Sequence, residues 1–145
     1  MKRWEAWWNH AALAAVALTG VLYGVFKYWV PGPDPDSRAG HPLQPVWLKA
    51  HVLIAPFAVF GVALLLRRHA LARIRSGETN GRSTGVAMLW IFAPLVLTGY
   101  LVQVLVARGA VRGAGYAHAG LGLLFLLGYA IHPKRRTQAD TGTDE

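Results

Sequence analysis

The chain contains no cysteine. That excludes disulfides, thiolate-held iron–sulfur clusters and the Cys-x-x-Cys-His attachment of covalently bound haem. Acidic residues are scarce: seven, against 15 Lys and Arg, and the long apolar stretches hold none apart from Glu5 at the start of the first. Apolar stretches without carboxylates have little with which to build a proton relay or a transported-ion site. The net charge of +8 raises nucleic acid as a partner. However, the Lys and Arg residues cluster between long uncharged runs and form no continuous basic face, so no nucleic acid is expected.

What the sequence has in quantity is apolar surface. At 145 residues it has room for one domain, and 54% hydrophobic residues with a mean hydropathy of +0.31 is too apolar for a water-soluble fold of that size. Apolar segments fall at 7–29, 46–66, 84–107 and 114–132, each close to the ~20 residues a helix needs to cross a ~30 Å hydrocarbon core. The expectation is an all-α integral membrane four-helix bundle over residues 1–136. The first span follows Lys2 and Arg3 as a signal peptide would, but it is long, opens on Trp4, Trp7 and Trp8 and lacks a small-residue cleavage site, so it reads as a retained helix. Pro31, Gly32, Pro33, Pro35, Gly40, Pro42 and Pro45 force a loop between the first two spans. Residues 67–83 read as a basic, polar loop, Gly109 to Gly113 as a short turn, and 137–145 as a disordered polar tail.

Charge orients the bundle. Lys2, Arg3, Arg67, Arg68, Arg73, Arg75, Arg82, Lys134, Arg135 and Arg136 share the side of both termini, leaving Lys27, Arg38, Lys49, Arg108 and Arg112 opposite. The excess of positive charge predicts cytoplasmic termini. Two helix pairs also look related. Leu18-Thr19-Gly20 recurs as Leu97-Thr98-Gly99, and Ala50-His51 through Gly61-Val62-Ala63 aligns without gaps on Ala117-His118 through Gly128-Tyr129-Ala130. Chance is the competing explanation, because Leu, Ala and Gly dominate membrane helices.

Ionisable groups inside a bilayer usually mark function, which singles out His10, His51, His118 and His132. Each alone is compatible with an interhelical hydrogen bond. Together they fall at two depths. His10, early in the first helix, matches His132, late in the fourth; His51 and His118 each lie a few residues into helices that start on the outer side. Between His118 and His132 the fourth helix rises ~21 Å and stops ~40° short of whole turns, so one helix serves both layers. Two facing histidines per layer suit haem b, since bundle cores house such cofactors and a structural zinc needs four close ligands. Gly20, Gly61, Gly99, Gly120, Gly122 and Gly128 would let a macrocycle approach the backbone, or would serve ordinary small-residue packing. His69 is an alternative to His132, which Pro133 follows. His41, in the proline-rich loop, reads as a surface residue, with a role toward a redox partner or in quinone proton transfer as the alternative.

Across residues 4–136 this placement resembles the four-helix di-haem cytochrome b superfamily, particularly its bacterial cytochrome b561-like members. The resemblance implies a multi-pass protein of a bacterial inner membrane with two bis-histidine haems, His10 with His132 and His51 with His118. It also implies electron transfer across the bilayer between a quinone pool and a redox partner, or service as the membrane subunit of a larger oxidoreductase. Bis-imidazole ligation leaves no open iron position, so no catalytic residue is expected. A cofactor-free membrane scaffold or assembly subunit with structural histidines is the rival expectation.

Overall fold

The computed structural model describes residues 3–34, 40–66 and 82–140, with side chains described over 4–34, 40–66 and 83–131. Among the described residues there are four helices and no strand: α1 (Arg3–Tyr28), α2 (Leu43–Leu65), α3 (Arg82–Val104) and α4 (Arg108–Asp140). Each contains an apolar span of 22 to 25 residues, enough at ~1.5 Å per residue to cross a bilayer core. The helices include Pro56 and Pro94, which interrupt a soluble helix but are tolerated in membrane helices.

The chain divides into two compact units, residues 1–68 and 69–145. In the first, α1 and α2 form an antiparallel hairpin. Asn9, Ala12, Leu13 and Thr19 of α1 and Ala58, Gly61 and Val62 of α2 are buried along its seam, and Trp8 meets Phe57 edge-on at 6.2 Å. At the loop end His41 packs on Phe26, ring centroids 4.7 Å apart. In the second unit α3 and α4 pack the same way, with Phe92 on the buried Phe125 at 5.5 Å.

Large apolar side chains lie outside these seams. Trp7, Trp90 and Leu53 are 70% or more exposed, and many Leu, Val and Phe residues accompany them. In water such a surface drives association. In a bilayer it is the expected exterior, because every helix satisfies its own backbone and turns apolar side chains to lipid. The protein is a multi-pass membrane protein in contact with lipid.

Helix boundaries differ from the sequence expectation at several ends: α1 starts at Arg3 and α2 at Leu43, so that Pro45, expected in the loop, lies in the first turn of α2, where a missing N–H costs nothing. The turn between α3 and α4 is Leu105 to Ala107, with Leu105 N–H still donating to Leu101 O and Val111 N–H already donating to Ala107 O. Gly109 and Gly113 are therefore helical, and a Cβ at either would meet nothing within 4 Å. Glycine marks turns reliably in water but is common inside membrane helices. The α4 backbone also runs on to Asp140, past Pro133 and into the segment expected to be disordered; residues 141–145 and the loop expected over 67–81 lie outside the described residues.

Candidate functional site

The site starts from a threonine that bonds back onto its own helix. Thr19, buried in α1, donates its hydroxyl to Ala15 O at 2.9 Å, with Val16 O at 3.1 Å. The next residue, Gly20, has no side chain, and the imidazole of His51 from α2 lies against that bare backbone. A Cβ there would stand 2.9 Å from Cε1, 3.1 Å from Nδ1 and 3.7 Å from Nε2. The close approach brings His51 Nδ1 to 2.9 Å from Val16 O and 3.3 Å from Thr19 Oγ1.

The second hairpin repeats this arrangement with different neighbours. Thr98 donates to Pro94 O at 2.8 Å, with Leu95 O at 3.0 Å. His118 of α4 crosses Gly99, where a Cβ would stand 3.0 Å from Cε1, 3.2 Å from Nδ1 and 3.8 Å from Nε2. Its Nδ1 is 3.0 Å from Leu95 O and 3.4 Å from Thr98 Oγ1. The two hairpins share one plan, and the sequence repeat has a physical counterpart.

The acceptors decide the tautomer. A backbone carbonyl can only accept, so Nδ1 of His51 and of His118 carries the hydrogen in each neutral ring. The lone pair is then on Nε2. This is the arrangement in which second-shell bonding orients a metal-ligating histidine and raises its basicity. Both rings are half-buried and each is fixed by the helix it crosses.

The repeat extends inward from the histidines and then diverges. Gly61 admits Asn9, whose Oδ1 lies 2.7 Å from the position of a Cβ; Gly128, its counterpart, admits Met88, with Cγ at 3.3 Å. Asn9 is 3% exposed and its Oδ1 is buried with no hydrogen-bond partner among the described residues. Within each hairpin, then, the room at Gly20, Gly61, Gly99 and Gly128 is filled by imidazoles, Asn9 and Met88, where the sequence reading reserved it for a macrocycle. Gly120 faces open space, and Gly122 touches Leu95 Cδ1 at 3.8 Å.

The remaining histidines differ from this pair. His10, next to Asn9 in α1, is exposed and lies outside the α1–α2 seam. His132 is in α4 with its side chain outside the described residues, as is all of His69. His10 and His132 have leucines, Leu89 and Leu65, at the corresponding places of the other hairpin. His41 acts as a helix cap. Its Nδ1 accepts the Leu43 N–H at 3.1 Å and its carbonyl accepts the Gln44 N–H at 2.9 Å, at the start of α2 where Pro42 provides no side-chain cap. Among the described residues no three His, Asp or Glu cluster closely enough to cage a metal ion. The repeated Leu-Thr-Gly is visible in the sequence, but not that each threonine stands behind a histidine of the neighbouring helix. Comparison with family models, characterised proteins and solved structures finds no match for this chain.

Proposed function

We propose that this protein is a di-haem b-type cytochrome that moves electrons across a membrane. The observation that supports the reading best is the duplicated cradle. Two histidines on two like-built hairpins are each held through Nδ1 by a backbone carbonyl three residues before a Thr-Gly pair, leaving Nε2 as the ligating nitrogen. A single interhelical histidine needs no such orientation. The matched use of it suits two histidines that would each ligate a haem iron.

In this reading His51 and His118 would hold the outer haem and His10 and His132 the inner. Bound between two imidazoles, haem supplies a one-electron couple with no open position for oxygen chemistry. The chain's own contribution is to fix the ligand tautomer, exclude water with apolar helices and space the two ligand layers along α4, ~21 Å apart by helical rise. The positive-charge bias supports cytoplasmic termini, and the cytochrome reading would place them in a bacterial inner membrane. Electrons would pass between quinol or quinone and a redox partner, or through this chain as the membrane subunit of a larger oxidoreductase.

One observation favours the scaffold reading: the His51–Val16 and His118–Leu95 bonds would staple each hairpin without any cofactor. The dithionite-reduced minus oxidised spectrum of protein purified after haem-replete expression separates the two. The cytochrome reading expects b-type bands and two haems per chain; a colourless protein would leave the scaffold.

A further inference from the structure

We propose that Lys27, held by the rings of Tyr23 and Tyr28 at the loop end of α1, seats the phosphate of a membrane phospholipid. The site belongs to the first hairpin alone and is independent of any cofactor. Lys27 stands in the last turn of α1, where the apolar span Trp4–Tyr28 ends. Side chains on a helix lean toward its N-terminus, which for Lys27 is back toward the hydrocarbon. A lysine so placed ordinarily bends its stem the other way to put its charge in water. Lys27 follows the lean instead. Its ammonium lies 5.2 Å from the centroid of the Tyr23 ring, one turn nearer the membrane interior, and 5.3 Å from that of Tyr28. Both contacts are within cation–π range.

The two rings fix the charge in place without neutralising it. A ring face offers partial negative charge only, and among the described residues no carboxylate pairs with Lys27, Glu5 being at the opposite end of α1. A charge at the edge of hydrocarbon draws a partner. The anion met there is the lipid phosphate, which attracts lysines to the membrane surface. The helix also leaves room for the rest of the lipid. At ~100° per residue Gly24 lies between Lys27 and Tyr28 in azimuth and one turn closer to the membrane interior, and a Cβ there would meet nothing within 4 Å. That open notch below the ammonium accepts the glycerol and an acyl chain, which a free phosphate ion does not have.

The test is native mass spectrometry of the purified full-length protein in detergent micelles titrated with dioleoyl phosphatidylglycerol, reading the concentration at which half the chains carry one lipid. Lys27→Gln should raise that concentration about fivefold, the effect of one interfacial lysine. Lys49→Gln removes an equal charge from an exposed position of α2 and should leave it unchanged. Tyr23→Leu should raise it about twofold through the lost cation–π contact, and Tyr23→Phe, which keeps the ring, should not. Gly24→Leu fills the notch and should raise it about fivefold or more through overpacking. The proposal is overturned if Lys27→Gln binds the lipid like wild type, or if Lys49→Gln weakens binding as much, which would mean net charge alone. It is equally overturned if dioleoylglycerol, which lacks the phosphate, binds as tightly, or if inorganic phosphate displaces the lipid, which would mean a site for free anions.

Discussion

Replacing Gly20 by alanine puts a methyl carbon 2.9 Å from His51 Cε1 and 3.1 Å from Nδ1. Carbon pairs pack best at roughly 3.5–4.0 Å, so the ring must retreat by about 0.6 Å or more. A retreat of that size stretches the 2.9 Å bond from Nδ1 to Val16 O to about 3.5 Å, beyond useful hydrogen-bond range. Overpacking costs ~1–3 kcal/mol and the weakened bond ~1 kcal/mol, while the better helix propensity of alanine returns ~1 kcal/mol. The net expectation is a loss of ~1–3 kcal/mol. Gly99→Ala should behave alike, its Cβ standing 3.0 Å from His118 Cε1. Gly24 and Gly120 are the controls, since a Cβ at either meets nothing within 4 Å, and alanine there should be neutral or stabilising by up to ~1 kcal/mol. Unfolding in mixed micelles of rising dodecyl sulfate content, followed by circular dichroism, resolves differences of this size. If Gly20→Ala and Gly24→Ala change stability in the same direction, the imidazole does not lie on that backbone and the cradle is wrong.

Three further outcomes are expected. Asn9→Met installs the residue found at the matching place in the second hairpin and removes a buried oxygen without a partner, so the same unfolding assay should show no loss, or a gain of about 1–3 kcal/mol; a clear loss would mean that the amide is bonded to something essential. His41→Ala should cost about 0.5–2 kcal/mol through the lost cap of α2 while leaving haem content unchanged, as measured by pyridine haemochrome. His132→Ala should remove one haem and His69→Ala neither, and the reverse pattern would transfer the inner ligand to His69.

Much of the fold was legible because lipid imposes a simple rule: an apolar run of sufficient length must be a helix. Helix ends were less legible. Residues 3–6 and those after His132 extend their helices beyond the apolar run, since backbone hydrogen bonding continues into the headgroup region where hydropathy no longer reports it. The glycines of α4 were misread as a turn for a related reason: Gly109 and Gly113 carry the composition of a turn but sit where a membrane helix accepts them. At the site, the repeat in sequence correctly marked His51 and His118 as equivalents. It carried no information on which nitrogen is bonded, because the acceptor in each hairpin is a backbone carbonyl, of Val16 or Leu95, whose side chain contributes nothing to the bond. Asn9 was equally hidden, since a polar residue at the start of a span reads as interfacial until Gly61 is seen to receive it.

We propose that His51 and His118 each serve as a haem ligand. Haem per chain, with the low-spin fraction read from electron paramagnetic resonance, measured for His51→Ala, His118→Ala and the double variant tests it most directly. Each single variant should hold less low-spin haem than the wild-type protein. A variant that keeps the full low-spin complement would remove that histidine from the ligands and contradict the proposal.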